Sequence, residues 1–150
     1  MPQSLSKMLV HLIFSTKNRE RWITEDIRPE LHPYLNSVFK AVDSPAISIG
    51  SVEDHVHILF QLSKNQPVCK VVERTKSSSS KWIKSKGSKF AQFSWQSGYG
   101  AFSVSQSHAK EVQNYIANQK EHHRVKSFQE ELRSFLNKYE VPYDECYVWD

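Results

Sequence analysis

The order of hydrophobic patterns along the chain restricts the fold more than any other feature of this sequence. Short apolar strand patterns and longer helical patterns follow one another as β-α-β-β-α-β, and further helical patterns come after them. This order is typical of the split β-α-β, or ferredoxin-like, arrangement. The strand patterns cover residues 8–14, 46–52, 55–62 and a pair at 93–96 and 100–104. We therefore predict an α+β fold with an antiparallel sheet, two helices on one face, and the other face available for a site.

Start signals place the helices between and after these strands. Thr24 is a predicted helix cap, and Pro67 is acceptable in the first turn of the next helix. Ser107 is the predicted cap of a helix that runs to His122, and residues 127–130 form a capping box ahead of a last helix. The sequence contains no repeat and no linker, so we expect a single domain over residues 1–150.

Composition excludes several classes of protein. The 150 residues include 39% hydrophobic residues, with 8 Phe, 6 Tyr and 4 Trp, which is enough for a sizeable core and unlike a disordered chain. No apolar run approaches the roughly 20 residues that cross a bilayer, and the first residues lack the apolar segment of a secretory signal. Cys69 and Cys146 are too few for a disulfide scaffold. We expect a cytoplasmic protein with reduced thiols and no membrane partner.

Positive charge is concentrated in one window. Residues 64–89 contain eight Lys and Arg residues against one acid, Glu73, so this window carries +7 while the rest of the chain carries −3. We call this window the basic stripe. Such a stripe is either a solvated helix face or the surface that meets a polyphosphate partner.

Two histidines share one face of a predicted strand. Residues alternate between faces along a strand, so Val56 and Ile58 point to one side while His55 and His57 point to the other. Both imidazoles can then reach one metal ion, although a third ligand must come from elsewhere. The alternative is a pair of partly exposed histidines that make ordinary hydrogen bonds.

A tyrosine and a glutamine lie one helical turn apart further along the chain. Tyr115 and Gln119 are adjacent on a predicted helix face. A tyrosine can act as a covalent nucleophile, and the Gln119 amide oxygen could supply a third metal ligand. The alternative for Tyr115 is a half-buried packing residue. His122 and His123 follow, but neighbouring positions on a helix diverge, so we do not expect them to share a metal.

Taken together, these segments resemble the single-tyrosine transposases of the HUH endonuclease superfamily, the IS200-like insertion-sequence enzymes. The resemblance covers nearly the whole chain. Its pieces are residues 15–19 after the first strand, the histidine pair in 54–57, the Ser-rich segment 76–82, residues 95–105, and Tyr115 to Gln119 with His122 and His123. Each piece is short, and their order and spacing make the pattern specific.

The resemblance implies a function and a set of site residues. His55 and His57 match the metal-binding pair, Gln119 the third ligand and Tyr115 the nucleophile, with Mg²⁺ or Mn²⁺ as the cofactor. The implied enzyme cuts and rejoins single-stranded DNA at insertion-sequence ends through a 5′-phosphotyrosine.

The resemblance also implies partners. The expected substrate is single-stranded DNA with hairpins at the element ends, and the expected assembly is a homodimer. In that homodimer, the helix that bears Tyr115 can complete the metal site of the other subunit. Four basic residues are candidates for phosphate contacts: Lys17, Arg19, Lys76 and Lys81.

Two other functions remain open at this level, and a metal hydrolase is a third, less favoured one because the sequence shows no cluster of Asp and Glu ligands. One is a module that binds single-stranded nucleic acid without cutting it, as RNA-recognition domains do, which would need exposed aromatic residues on the sheet. The other is a domesticated relative that cleaves dispersed hairpins and moves no element of its own. The DNA that flanks the gene would separate this relative from a mobile-element enzyme.

Overall fold

The computed structural model describes residues 2–119 and 126–149. Within these residues the elements follow the order β1-α1-β2-β3-α2-β4-α3-α4. The strands are β1 (Leu9–Ser15), β2 (Ala46–Ser51), β3 (His55–Gln61) and β4 (Gly100–Val104). The helices are α1 (Arg28–Ala41), α2 (Val68–Lys84), α3 (Ala109–Ala117) and α4 (Phe128–Lys138). None of the described helices is both long and apolar enough to span a membrane.

The four strands form one antiparallel sheet in the order β2-β3-β1-β4. In each β-α-β unit the two strands are therefore separated by one strand of the other unit, which is the predicted ferredoxin-like arrangement. In the register of the central pair, Ser15 lies opposite His55 and Ile13 lies opposite His57. This register places the histidine pair in the middle of the sheet, at the end where β1 finishes.

One face of the sheet packs against α1 and α2. Val56, Ile58 and Phe60 of β3 join Leu35 of α1 and Val71 of α2 in the largest core cluster. Each of these side chains is fully buried, and such burial contributes about 1.5–3 kcal/mol for each one. The alternation along β3 predicted this face correctly.

The opposite face is covered, contrary to our expectation that it stays open. Ile116 of α3 packs on Leu59, while Phe128 and Leu132 of α4 pack on Ile13. The physical reason is that this face is apolar too wherever it does not carry histidines. The site is therefore a buried layer between the sheet and two helices.

Three expected boundaries are wrong. Residues 93–96 do not form a strand paired with residues 100–104. They lie along the end of β1 instead, where the Gln96 N–H donates to the Ser15 carbonyl and the Lys17 N–H to the Ser94 carbonyl, both at 2.9 Å, around a single bridge between Trp95 and Thr16. The first helix begins at Arg28, with Pro29 in its first turn, rather than at Thr24. The third helix begins at Ala109, and the residue at its cap position is His108 rather than the predicted Ser107.

Two further expectations concern helix ends. Ser127 caps α4, and its hydroxyl accepts a hydrogen bond from the Glu130 backbone N–H, as the capping box predicts. The predicted extension to His122, and His123 with it, lies outside the described residues. Cys69 and Cys146 are both exposed and are not joined to each other.

Candidate active site

His55 and His57 lie side by side under α3 and α4. Their rings are on the same face of β3 with centroids 5.3 Å apart, and both side chains are 0% exposed. The sequence predicts the shared face, but the alternative of partly exposed histidines does not hold. Buried imidazoles need partners for both ring nitrogens, because an unpaired polar group is costly away from water.

A buried carboxylate from α4 meets both histidines. Oε1 of Glu131 lies 2.8 Å from Nε2 of His57 and 3.4 Å from Nε2 of His55. The ligand atoms of these three side chains all lie within 4.8 Å of one another. Two imidazole nitrogens and one carboxylate oxygen are a donor set that suits a divalent cation. The described residues therefore include a group, His55–His57–Glu131, that fits a metal ion.

The Nδ1 atom of each histidine, on the side of the ring away from Glu131, also has a hydrogen-bond partner. Nδ1 of His55 donates a hydrogen bond of 2.6 Å to the Asp54 carboxylate, and Nδ1 of His57 lies 2.9 Å from Nε2 of His11 on β1. Burial by itself lowers the pKa of His55, but the hydrogen bonds and negative charges of Asp54 and Glu131 outweigh it, so the pKa is raised overall. Positive charge at this ring is thus favoured.

Tyr115 reaches the same carboxylate from α3. Its phenolic O–H donates a hydrogen bond to Oε2 of Glu131, and its ring centroid lies 5.8 Å from that of His57. Burial, and then the negative charge of Glu131, raise the pKa of Tyr115 above its ordinary value. The phenol is therefore neutral near neutral pH unless positive charge arrives beside it.

Gln119 follows Tyr115 by one turn, as the sequence predicts. It is 2% exposed, and its amide Nε2 donates a 3.4 Å hydrogen bond to the Tyr115 backbone carbonyl. Its role as a metal ligand stays a prediction, since the carboxylate that contacts both histidines is Glu131.

A cavity opens beside Tyr115. Its volume is about 580 Å³, which is large enough for a nucleotide-sized group. Phe135 and Tyr139 line its wall, and Lys126 and Lys138 stand at its edge. The cavity thus offers aromatic surface and positive charge next to the phenol.

The four predicted phosphate contacts lie away from this cavity. Lys17 and Lys81 are exposed and Arg19 is half-buried. Lys76 is engaged, because its Nζ donates a 2.8 Å hydrogen bond to the Gln96 carbonyl and sits over the Phe14 ring. Lys76 therefore holds the loop that contains Gln96 against the core. Lys81, which belongs to the basic stripe, lies on α2, on the side of the sheet opposite to the histidines.

Two residues of the site, Glu131 and His11, were not predicted from the sequence. Glu131 interrupts the apolar face of α4 between Phe128 and Phe135, and a lone acid in such a stripe is a signal for a buried partner. His11 lies two positions before Ile13 on β1, so both residues are on the histidine face of the sheet. Both signals were present in the sequence.

Comparison with known proteins adds one family match. The sequence model of the family described as "Transposase IS200 like" matches residues 4–119. A comparison with curated proteins finds no match.

Two solved structures are similar in fold. One is a crystal structure of a candidate transposase from Deinococcus radiodurans R1, with a TM-score of 0.62 and 22% identity, covering 77% of this chain and 93% of that one. The other is a REP-associated tyrosine transposase bound to a REP hairpin, with a TM-score of 0.60 and 12% identity, covering 81% of this chain and 72% of that one. At such identities the likeness establishes the fold alone.

Proposed function

The chain belongs to the IS200-like transposase family, and on this premise we propose that it cleaves and rejoins single-stranded DNA through a covalent bond to Tyr115. Residues 1–150 would act as one catalytic domain, in the cytoplasm and as a homodimer. The observation that carries the proposal is that Tyr115 and the histidine pair meet at one buried carboxylate, beside a cavity of about 580 Å³.

The chemistry follows from the nucleophile. The phenol of Tyr115 gives up its proton to the Glu131 carboxylate, to which it is hydrogen-bonded. Its oxygen attacks phosphorus in line, and the bond from phosphorus to the 3′ oxygen of the adjoining nucleotide breaks. The products are a 5′-phosphotyrosine and a 3′ oxygen that takes up a proton to become a hydroxyl. A 3′-hydroxyl reverses these steps on rejoining, so the phosphodiester energy is kept and no ATP is needed.

Mg²⁺ or Mn²⁺ is the cofactor we propose. His55 and His57 would hold it, with Glu131 or the sequence-predicted Gln119 as the third protein ligand. When bound, such an ion offsets the negative charge of the phosphate. The protein itself excludes water from the histidines and holds the phenol of Tyr115 against Glu131.

Ionisation of the Tyr115 phenol also depends on positive charge beside Glu131. Burial and Glu131 raise the pKa of the phenol, so a phenolate is unfavourable until the charge of the carboxylate is balanced. The raised pKa of His55 shows the same local excess of negative charge. The residues of the site thus carry an excess of negative charge that a bound cation would balance.

The proposed substrate is single-stranded DNA that carries a hairpin. A flexible strand can turn one phosphate into line with Tyr115, while Lys126 and Lys138 at the cavity edge can meet neighbouring phosphates. Lys17, Arg19 and Lys81 remain candidates for the hairpin stem. One of the similar structures is bound to a hairpin, which supports this choice of substrate.

A non-cleaving binding module is less well supported. Such modules stack bases on exposed aromatic residues of the sheet. In the described part of this chain both faces of the sheet are covered by helices, and the central residues of the second face are histidines at 0% exposure.

The substrate proposal is tested with labelled DNA from the region flanking the gene, offered as a single strand with its hairpin and as a full duplex. With Mn²⁺ present, we expect cutting of the single strand and little cutting of the duplex. Binding should weaken as salt rises, because the basic residues release counterions from the DNA. Equal cutting of both forms would contradict the proposal.

A further inference from the structure

His55 and His57 each have a different hydrogen-bond partner at Nδ1, the ring nitrogen that faces away from Glu131. Nδ1 of His55 is bound to Asp54 at 2.6 Å, and Nδ1 of His57 lies 2.9 Å from Nε2 of His11. Both Nε2 atoms then face the same oxygen of Glu131, at 3.4 Å and 2.8 Å. A ring whose Nδ1 is engaged presents its Nε2 to a ligand in a fixed orientation.

We propose that His11 is a positioning residue that sets the orientation and tautomer of His57, so that Nε2 of His57 offers its lone pair to a divalent cation. The inference rests on the metal site of the proposed function and goes beyond it, because His11 contributes no ligand atom itself.

The sheet register explains why position 11 can do this. Ile13 lies directly opposite His57, and His11 lies opposite Leu59, so His11 and His57 are diagonal neighbours across the β1–β3 pair. Diagonal neighbours on one face are within reach of long or aromatic side chains. The ring centroids of His11 and His57 are 5.1 Å apart.

Packing alone does not account for a histidine here. His11 is 1% exposed and its ring meets the edge of Phe135 at 5.1 Å, a place that an apolar side chain would fill without losing hydrogen bonds to water. The imidazole differs from such a side chain in offering a nitrogen to His57. That nitrogen is the reason we see for a buried histidine at this position.

The direction of the hydrogen bond between the two rings fixes the tautomer. Nε2 of His11 and Nδ1 of His57 share one hydrogen across their 2.9 Å contact, so one ring donates and the other accepts. In the proposed arrangement His57 donates from Nδ1 and His11 accepts at Nε2. A neutral His57 then carries no proton on Nε2, which is the form that binds a metal.

The experiment measures Mn²⁺ affinity rather than cleavage. Mn²⁺ is titrated into wild type, His11→Leu and His11→Asn, with the free ion followed by electron paramagnetic resonance. We expect His11→Leu to bind Mn²⁺ about 10–100-fold more weakly, the range found when residues behind metal-ligating histidines are changed. Asparagine can still accept a hydrogen bond, so His11→Asn should recover part of the affinity.

A matched control is His32→Leu, since His32 lies on α1 and bonds to Ser51 on β2, outside the site. Its Mn²⁺ affinity should equal that of wild type. Wild-type affinity in His11→Leu, no recovery in His11→Asn, or an equal loss in His32→Leu would each overturn the proposal.

A second measurement on the wild type avoids any dependence on the folding of variants. Nitrogen-15 spectra of the histidine rings with saturating Mg²⁺ should show His57 protonated at Nδ1, and protonation at Nε2 would overturn the inference. Failure of the proposed function looks different. If the wild type binds Mn²⁺ but cuts no DNA, the proposed function is wrong. If it cuts DNA in excess chelator, no metal is needed and the proposed role of His11 is wrong too.

Discussion

At the scale of single residues, Glu131 joins the parts of the site. One carboxylate oxygen contacts both histidines, and the other accepts the hydrogen bond of Tyr115. A carboxylate that is 1% exposed needs such partners, because an uncompensated buried charge is strongly destabilising. Glu131 thus links Tyr115, the proposed nucleophile, to the histidine pair.

Replacing this carboxylate tests which residue is the third ligand. Glu131→Gln keeps the size of the side chain but removes its charge, and we expect its Mn²⁺ affinity to fall by at least about 10-fold. Glu130→Gln is the control, because Glu130 is an exposed neighbour whose capping role glutamine preserves. If Glu131→Gln binds Mn²⁺ normally and Gln119→Ala does not, the third ligand is Gln119.

The sequence predicted part of this site and missed part of it for a physical reason. His55 with His57 and Tyr115 with Gln119 are local pairs, so the strand and helix periods alone make them neighbours. Glu131 lies 74 positions from His57, and His11 lies 46 positions from it. Periodicity shows which face of an element is buried, but not which residue of a distant element lies against it.

At the scale of elements, α3 rests directly on the sheet at a glycine. A Cβ atom on Gly50 of β2 would lie 2.5 Å from the backbone oxygen of Ile116 and 2.8 Å from its Cγ2. Only a residue without a side chain lets α3 approach this closely. Because Tyr115 precedes Ile116, this contact sets the distance of the Tyr115 side chain from the histidines.

We therefore expect Gly50→Ala to lower the free energy of unfolding by about 1–3 kcal/mol, the usual cost of overpacking, and to reduce cleavage by displacing Tyr115. Gly98→Ala is the matched control, since a Cβ there would meet nothing within 4 Å. Urea unfolding and a cleavage assay measure the two effects. Identical behaviour of both variants would show that α3 does not depend on Gly50.

The C-terminal segment docks on α4 through an ion pair. Arg133 donates hydrogen bonds of 2.7 Å and 3.0 Å to the Glu145 carboxylate, and the Trp149 indole N–H donates to the same group at 2.8 Å. These bonds, that of Arg133 first, lower the pKa of Glu145 to about 2. Trp149 in turn contacts Phe128 at the base of α4.

A pH dependence follows from this shift. The folded pKa of Glu145 is depressed, so its contribution is complete above the ordinary value of about 4.3 and is lost as pH falls through about 2. The indole resonance of Trp149 should therefore keep its docked position at about pH 3.5. In Glu145→Gln it should be shifted at every pH, whereas Glu140→Gln should match wild type. Release of wild-type Trp149 near pH 4.3 would contradict the docking.

The predicted helices and strands, like the site residues, were correct where local sequence pattern determines them and wrong where a distant part of the chain does. The four strands of the sheet and the cap at Ser127 follow from local pattern and were predicted. The predicted pairing of residues 93–96 with 100–104 fails because both segments bond to β1 instead, which only the assembled sheet decides.

At the scale of the whole molecule, one chain is sufficient to bring the candidate site residues together. Tyr115 lies against His57 and Glu131 of its own chain, although the family resemblance also allowed a site shared between subunits. A homodimer, which we propose, would then carry two independent sites. Its function would be to bring two DNA ends together.

Mixing inactive subunits tests this arrangement. His57→Ala and Tyr115→Phe chains are combined and allowed to exchange subunits, and we expect no cleavage, because every subunit keeps one defect in its own site. A mixture of wild type with either variant is the positive control. Recovery of cleavage in the mixture of the two variants would show that Tyr115 reaches the histidines of the other subunit.

The central claim is that Tyr115 becomes covalently joined to a 5′ phosphate, and the position of a DNA label tests it most directly. Single-stranded hairpin DNA is labelled at either end, incubated with Mn²⁺, and run with the protein on a denaturing gel. We predict that the 3′ label migrates with wild-type protein and with Tyr139→Phe, the control tyrosine of the same cavity, and that the 5′ label stays on free DNA. Tyr115→Phe should bind the strand but carry no label. A labelled Tyr115→Phe protein, or a 5′ label on the wild type, would contradict the account.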